Sequence, residues 1–300
     1  MSKSQVLYLF LVLASACLVN ANSVADRSNA DDEGVDEIIG GTTVARGQHQ
    51  YMAFLTSFYA GASGLCGGTV ISNRYVLTAA HCVQDHTTGE IAKKVEVRLK
   101  VYTVNPMDAG VKLITVTGSN IKPHPEFMAS GEVNFNYDLA LIKLGADLPT
   151  SDYYLIGKLY LAGVDQTTVT AVGWGYTSST STTVSSTLKQ VSFRIGTNDE
   201  CKNFWDPRGG AYNHEFQLCG VVPGKSVCRG DSGGPIVRYS SGYQTYSQVG
   251  INSFVPTSNG QAACEMGYAV FTRVSAHRDW IHANSCYQTS GGFCPTWSYA

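Results

Sequence analysis

Charged residues and long apolar runs are both scarce in this chain. Asp, Glu, Lys and Arg make up 15% of its 300 residues, against about 25% in a typical globular protein. The formal net charge is −2 and no run of five or more basic residues occurs, so nothing in the composition indicates a nucleic-acid partner. Beyond the N-terminus, no segment has the roughly 20 apolar residues that a membrane-spanning helix needs. We therefore expect no membrane partner.

Metal-ligand spacings are also lacking. No Cys-x-x-Cys pair occurs, and the neighbouring His81 and Cys82 do not have the spacing of zinc ligands, so we expect no metal and no other cofactor. Of the nine cysteines, Cys17 lies in the N-terminal segment described next, which leaves eight. An even number is typical of disulfide bonds in a secreted chain, although spacing alone leaves the pairing open. The eight are Cys66, Cys82, Cys201, Cys219, Cys228, Cys264, Cys286 and Cys294.

The N-terminus predicts export from the cell. Lys3 precedes the apolar stretch Val6–Val19, which is followed by a small-residue cleavage site at Ala21, so residues 1–21 are typical of a secretory signal peptide. A membrane anchor is the alternative, but the stretch is shorter than the roughly 20 residues that a bilayer requires. Residues 22–37 carry six acids and one arginine and have nothing to bury. We expect this second segment to be removed from a secreted, extracellular protein.

From residue 38 onward the pattern is typical of β-structure. In Lys94–Val104, apolar residues alternate with charged ones, as in a strand with one buried face. Many short candidate strands bounded by Gly, Pro, Asn and Ser favour antiparallel barrels over an α/β sheet. The low-complexity segment Thr177–Thr187 predicts a surface loop, and Ser275–Ala283 predicts a helix capped by Ser275. The other candidate strands are Tyr51–Tyr59, Gly68–Ser72, Leu139–Leu144, Thr168–Val172, Lys189–Ile195, Pro235–Tyr239, Gln248–Ser253 and Ala269–Arg273.

Three short segments contain the candidate catalytic side chains His81, Asp138 and Ser232. Taken singly, each has a structural explanation: a core histidine, an aspartate at a strand end and a serine in a turn. In this order, and with Ile38–Gly41 upstream, they resemble the chymotrypsin family of trypsin-like serine proteases over residues 38–284. The segments are Leu77–Cys82 (LTAAHC), Tyr137–Leu141 (YDLAL) and Gly230–Pro235 (GDSGGP).

The resemblance implies an all-β fold of two antiparallel six-stranded β-barrels with a C-terminal helix. It also implies a serine endopeptidase that acts on a protein or peptide substrate. Ser232 would attack the peptide carbonyl while His81 accepts its proton, and Asp138 would orient the imidazole and stabilise its charged form. The backbone N–H groups of Gly230 and Ser232 would form the oxyanion hole.

By the same resemblance, Ser226 lies at the floor of the specificity pocket. A neutral serine offers no charge partner to a substrate Lys or Arg, whose unpaired burial is costly. The branched Val255 would narrow the entrance, and Ala269 would leave the opposite wall small. We therefore predict cleavage after Leu, Met, Phe or Tyr, with Trp too wide for the pocket. The expected walls are Val227, Ser253, Phe254, Val255 and Ala269.

The resemblance also implies a disulfide pattern. Cys66–Cys82 would hold the loop that carries the histidine, Cys201–Cys219 would close a loop of the second barrel, and Cys228–Cys264 would brace the specificity pocket. Cys286–Cys294 is the pair that remains. It would tie down a C-terminal extension, residues 285–300.

Activation is implied where the protease domain begins. In this family, a cut before the Ile-Ile-Gly-Gly sequence frees the ammonium group of Ile38, which becomes buried and pairs with Asp231. Glu37 precedes the cut where most relatives have Arg or Lys, so we expect trypsin not to activate the precursor directly. Trypsin could cut after Arg27, which would leave residues 28–37 as five dipeptides for a dipeptidyl peptidase, and a Glu-specific endoprotease is the other candidate. The expected partners of this monomer are a substrate, an activating protease and protein inhibitors.

Two alternatives belong to other classes of protein. A catalytically silent homologue would act as a binding or cofactor protein, but such relatives usually replace a triad residue, and all three are present here. An α/β-hydrolase would need a Gly-x-Ser-x-Gly elbow and the order Ser, Asp, His. Gly230–Gly234 fits that short pattern, but His81 lies upstream and no βαβ alternation is visible.

Overall fold

The computed structural model describes the chain in six stretches, residues 38–149, 158–160, 163–210, 212–242, 244–286 and 297–298. The predicted signal peptide (1–21) and propeptide (22–37) lie outside the described residues, as does most of the predicted extension (285–300). Within the six stretches, no helix combines the length and the apolar character needed to cross a membrane.

Short β-strands account for most of the regular structure. Two α-helices accompany them, α1 (Asn198–Trp205) and α2 (Arg278–Ser285). The strands in the described stretches are β1 (Thr42–Thr43), β2 (Met52–Phe58), β3 (Ser63–Val70), β4 (Tyr75–Thr78), β5 (Lys94–Leu99), β6 (Lys112–Thr117), β7 (Ile121–Pro123), β8 (Ala140–Lys143), β9 (Lys158–Tyr160), β10 (Thr168–Gly173), β11 (Lys189–Arg194), β12 (Gln217–Cys219), β13 (Pro235–Ser240), β14 (Thr245–Phe254), β15 (Thr257–Ser258), β16 (Gln261–Ala262), β17 (Val270–Arg273) and β18 (Trp297–Ser298).

The strands form two main sheets. One contains β2 to β8, and the other contains β1 and most of the strands after β8. The first sheet has the order β6-β5-β2-β3-β4-β8-β7 and is antiparallel throughout. The second follows the path β1-β11-β10-β13-β14-β17-β12, with β9 paired in parallel to β14 and to β18. Both sheets curl, and the predicted all-β fold of two chymotrypsin-like barrels with a C-terminal helix is confirmed. Each sheet has more than the six strands predicted, because edge strands of two or three residues add to it.

The alternating pattern correctly located the strands with one buried face. In β5, Val95, Val97 and Leu99 are buried, whereas the charged residues between them are partly exposed. Every predicted strand overlaps an observed one. The missed strands include β4, β6 and β12. β4 is buried along its whole length and therefore shows no alternation, and β12 is only three residues long.

Both helices correct the sequence analysis. The C-terminal helix starts at Arg278 after a 3-10 turn, Val274–His277, and the side chain of Ser275 does not cap it. Helix α1 was not predicted, although Thr197 and Glu200 form a capping box at its start. That box was a readable local signal.

A glycine allows the first sheet to reach the segment that precedes β13. The backbone N–H of Gly67, in β3, donates to the carbonyl oxygen of Ser232 at 2.8 Å. A Cβ atom on Gly67 would lie 2.9 Å from the Cα of Gly234, which is closer than two carbon atoms can approach. The predicted nucleophile is therefore held at the junction between the two sheets.

Candidate active site

Two paired strands bring His81 and Asp138 together. β4 ends at Thr78, and His81 lies in the 3-10 turn Ala80–Cys82 that follows, whereas Asp138 comes just before β8. Thr78 and Ala140 are register partners, so the two segments leave the sheet side by side. Nδ1 of His81 lies 2.8 Å from Oδ2 of Asp138, and the backbone N–H of His81 donates to Oδ1 at 3.0 Å.

Asp138 also receives hydrogen bonds from the second sheet. The hydroxyl of Ser253, in β14, donates to Oδ2 at 2.5 Å, and the hydroxyl of Thr272, in β17, donates to the backbone carbonyl of Asp138 at 2.7 Å. Burial alone would raise the pKa of Asp138, but the charge of His81 and the bonds from His81 and Ser253 outweigh it and lower that pKa. An ionised Asp138 favours the Nδ1–H tautomer of His81, which leaves Nε2 able to accept a proton.

Neutral rings fill the space behind this pair. The rings of His124 and His277 pack on Tyr137, at centroid distances of 4.8 Å and 5.6 Å, and lie 5.6 Å from each other. Burial lowers the pKa of each of these two histidines to about 4. Both imidazoles are therefore uncharged near neutral pH, and they place no competing cation beside Asp138.

Ser232 lies against the turn that carries His81. A Cβ atom on Gly233, the next residue, would lie 2.9 Å from Sγ of Cys82. The side chain of Ser232 is buried, and its hydroxyl has no hydrogen-bond partner among the described residues. Hydrogen bonds of a catalytic serine are often long in a free enzyme and tighten only when substrate binds. The structure thus places Ser232 near His81 but does not bond the two side chains.

The backbone around Ser232 presents unused donors. Gly230 has a φ of +90°, a conformation that glycine adopts without strain. Within the described stretches, the N–H groups of Gly230 and Ser232 donate to no protein acceptor, whereas the N–H of Asp231 between them donates to the carbonyl of Cys228 at 3.0 Å. An oxyanion hole needs backbone N–H groups that have no other acceptor. The N–H groups of Gly230 and Ser232 meet this requirement.

Asp231 is a second buried carboxylate, and it has no cationic partner in the described part of the chain. It accepts the N–H of Gly175 at 2.7 Å and the N–H of Cys228 at 3.0 Å. Burial nevertheless raises the pKa of Asp231 to about 7. Ile38 is fully buried in the hydrophobic cluster that contains Cys228. Glu37, the residue before the predicted cut, lies outside the described residues.

Three of the six predicted pocket residues pack in the same buried cluster. Val227, Val255 and Ala269 belong to a single cluster of buried side chains. Ser226 is 1% exposed, and its hydroxyl has no hydrogen-bond partner among the residues the structure describes. A buried hydroxyl without a partner is unusual.

The other two predicted walls make different contacts. The hydroxyl of Ser253 donates to Asp138, a contact with the candidate triad that the sequence did not predict. The ring of Phe254 packs against Phe135 and Trp205, at centroid distances of 5.2 Å and 5.3 Å. No local signal could have shown the Ser253–Asp138 bond, since 115 positions separate the two residues.

The disulfide bonds support these positions. Cys66–Cys82, Cys201–Cys219 and Cys228–Cys264 are all formed, as predicted. Cys286 is also disulfide-bonded, but its predicted partner, Cys294, lies outside the described residues.

One group of potential metal ligands occurs within the described stretches. Ligand atoms of Cys66, His81 and Cys82 lie within 4.8 Å of one another. The two sulfur atoms are joined in a disulfide, so they cannot bind a metal as thiolates. The disulfide of this cluster joins β3 to the turn that carries His81.

Comparison with known proteins decides the family. The model of the trypsin family matches residues 38–281. The chain belongs to the trypsin family. Its members are serine endopeptidases, hydrolases that cut peptide bonds.

Three relatives in the trypsin family show how widely the similarity extends. Serine protease SSP1 of Scolopendra subspinipes is 30% identical over 94% of both chains. A chymotrypsin of Phaedon cochleariae is 29% identical over 83% of this chain and 82% of its own. Phenoloxidase-activating factor 3 of Holotrichia diomphalia is 30% identical over 92% of this chain and 80% of its own. The similarity thus covers most of each protein.

Replacing Ser253 by Ala tests how Asp138 is stabilised. The pKa of Asp138 is lower in the folded protein than in the unfolded chain, so ionised Asp138 stabilises the fold at any pH above the ordinary aspartate pKa. This stabilisation is lost as the pH falls through the lowered pKa. Without the hydroxyl donor, that pKa should rise and the free energy of unfolding at neutral pH should fall by about 2 kcal/mol. Urea unfolding at a series of pH values should also show acid unfolding beginning at a higher pH.

Ser57→Ala is the matched control. Ser57 is equally buried, but its hydroxyl has no partner among the described residues, so its loss should leave the acid limb of the stability curve unchanged. If Ser253→Ala and Ser57→Ala gave the same curve, the bond from Ser253 would not stabilise the charge of Asp138.

Proposed function

We propose that this chain is an active serine endopeptidase, secreted as a precursor that is cut between Glu37 and Ile38. The observation that carries the proposal is the buried contact of 2.8 Å between His81 and Asp138, on a turn that lies against the loop of Ser232. The proposed segments are a signal peptide (1–21), an activation propeptide (22–37), a protease domain (38–284) and a C-terminal extension (285–300).

The proposed hydrolysis assigns a step to each group. Nε2 of His81 takes the hydroxyl proton of Ser232 as Oγ bonds to the peptide carbonyl carbon, while Asp138 stabilises the imidazolium. The N–H groups of Gly230 and Ser232 stabilise the negative oxygen that forms. His81 then gives the proton to the leaving amine. A water molecule repeats the sequence, releases the acid and restores Ser232.

The alternative is a catalytically silent homologue that binds a partner. The environment of Asp138 argues against it. Burying a carboxylate beside an imidazole has a large desolvation cost, and catalysis uses the resulting pair whereas binding a partner does not require it. The intact hydrogen bonds to Asp138 support an enzyme.

Ser232→Ala tests the proposed nucleophile. Alanine cannot form the acyl intermediate, so kcat on a peptide substrate should fall by about 10⁴-fold or more. Secretion and the thermal unfolding temperature should be unchanged, because alanine fits the space of the buried serine. Ser57→Ala should keep full activity. Retention of more than a few per cent of activity in Ser232→Ala, or failure of the wild-type protein to react with a fluorophosphonate, would contradict the assignment.

The same proposal includes a specificity for large apolar residues. Support comes from the residues predicted to form the pocket. Ser226, the predicted floor, is neutral and buried, and it precedes Val227 in the chain. Val227, Val255 and Ala269, three of the predicted walls, belong to one buried cluster. A substrate guanidinium or ammonium would find no carboxylate among these residues. Burying an unpaired cation is unfavourable, whereas an apolar side chain gains from leaving water.

A peptide library digested by the activated enzyme tests this specificity. We expect kcat/KM for Leu, Met, Phe or Tyr before the cleaved bond to exceed that for Arg by about 100-fold or more. Ser226→Asp should raise cleavage after Arg, since it supplies the missing charge. Strong cleavage after Arg by the unmodified enzyme would overturn the proposed specificity.

Activation is proposed to work through Asp231. In the uncut chain burial raises the pKa of Asp231, because the two amide donors offset only part of the desolvation and no described residue supplies a cation. A cut after Glu37 would turn the buried nitrogen of Ile38 into an ammonium group able to pair with that carboxylate. Ile38 has a φ of +56°, a strained conformation for a β-branched residue. Freeing its nitrogen would remove a constraint from this strained residue.

Digestion of the purified precursor with trypsin tests the role of Glu37. We expect trypsin alone to leave the precursor nearly inactive, and a dipeptidyl peptidase after trypsin, or a Glu-specific endoprotease alone, to produce the Ile38 N-terminus and activity. Glu37→Arg is the matched control, which trypsin alone should activate. Full activation of the wild-type precursor by trypsin, with Ile38 as the new N-terminus, would show that Glu37 does not redirect activation.

A further inference from the structure

A polar cavity lies on the second sheet, where β13, β14 and the end of β9 meet. Its volume is about 130 Å³, which is room for several water molecules and therefore for a small polyatomic ion. The side chains that line it end in hydroxyl groups or in a guanidinium, and none of them is a carboxylate. They belong to Tyr160, Arg238, Tyr239, Ser240, Ser241 and Ser247.

Strand pairing places the cation of the cavity opposite a hydroxyl. Arg238 in β13 is the register partner of Ser247 in β14, and Ser240 is the partner of Thr245. Side chains of register partners in an antiparallel pair stand next to each other on one face of the sheet. Arg238 is only partly buried and Ser247 is 4% exposed. The sheet therefore fixes the positions of both groups.

Arg238 is held in place by a neutral group. Its Nη1 donates to the hydroxyl of Tyr160, and its guanidinium carbon lies 5.3 Å from the centroid of the same ring. Among the residues that the structure describes, Arg238 has no carboxylate partner. Arg74, Arg194 and Arg273 each have one. The guanidinium of Arg238 thus keeps an uncompensated positive charge at the cavity.

The segments that build the cavity contain no acid. The chain has 23 Asp and Glu residues, yet none occurs in residues 158–164 (KLYLAGV) or 235–250 (PIVRYSSGYQTYSQVG). The same segments contain two cations, Lys158 and Arg238, and Lys158 is the register partner of Ser247 in the parallel pair of β9 and β14. A fixed cation among hydroxyl groups, with no acid nearby, is an environment that attracts anions.

We propose that this cavity binds a phosphate or sulfate group, either as the free ion or as an ester on a larger molecule. With Nη1 on Tyr160, the guanidinium of Arg238 still has N–H groups for a bidentate contact with two oxygens of a tetrahedral anion. The hydroxyls of Ser240, Ser241 and Ser247 can donate to the remaining oxygens. No candidate catalytic or pocket residue lines the cavity, so the inference does not depend on the proposed function.

Calorimetric titration of the purified precursor with sodium sulfate or sodium phosphate, at constant ionic strength, tests the proposal. We expect one site with a Kd of about 1 mM, and weaker binding of acetate, which has fewer oxygens and less charge. Arg238→Gln removes the charge, so the affinity should fall by about tenfold or more. Arg208→Gln is the matched control. Arg208 also stacks on an aromatic ring, 3.9 Å from the centroid of Phe204, but it does not line the cavity, and its loss should leave the affinity unchanged.

Thermal unfolding provides a second measurement, since an anion that binds only the folded chain raises the unfolding temperature. Ser247→Ala, which keeps the charge of Arg238, should weaken binding severalfold and serves if Arg238→Gln does not fold. Methyl sulfate and methyl phosphate distinguish the sources: tighter binding of the ester than of the ion indicates a group on a larger molecule, and tighter binding of the ion indicates the free anion. If neither ion binds the wild-type precursor, or if Arg238→Gln and Ser247→Ala bind as tightly as Arg208→Gln, the proposal is wrong.

Discussion

The buried carboxylate of Asp138 is the group on which the rest of the structure depends. Asp138 lies just before β8 of the first sheet, yet its side chain accepts a hydrogen bond from Ser253, and its carbonyl accepts one from Thr272, both in the second sheet. An ionised group so deep in a protein is tolerated only when it is fully bonded, so the two sheets are held in the one position that satisfies it. In that position His81 faces the loop of Ser232. The contacts that stabilise the fold are therefore also those that set the catalytic geometry.

The pKa of the second buried carboxylate, Asp231, is shifted in the opposite direction to that of Asp138. Asp138 lies beside an imidazole that can carry charge, and its pKa is lowered. Asp231 has two amide donors and no cation among the described residues, and burial raises its pKa to about 7. Asp231 also lies between the two candidate oxyanion donors, Gly230 and Ser232. A group that changes the charge at Asp231 would therefore act directly on the backbone of the segment that contains Ser232.

The candidate substrate-binding residues come from both halves of the chain, as the candidate catalytic residues do. The second half provides a buried apolar cluster that includes Val227 and Val255, and the buried Ser226 precedes Val227 in the chain. The first half provides a small cleft with the carboxylate of Asp85.

The sequence by itself determined the strands with one buried face, such as β5, and the motifs that resemble the trypsin family. The resemblance, and not the spacing of the residues, implied the candidate triad and the three disulfide pairs that the structure contains. Motifs and alternation depend on neighbouring residues, so they can be read from a single chain. Even a local signal was overlooked at Thr197, and Ser275 was wrongly given a capping role. Only the tertiary structure decided that Ser253 binds Asp138, that Asp231 has no cationic partner among the described residues and that Asp85 lines a cleft beside His81. These contacts join residues far apart in the chain, and burial and charge at each depend on how the two sheets pack.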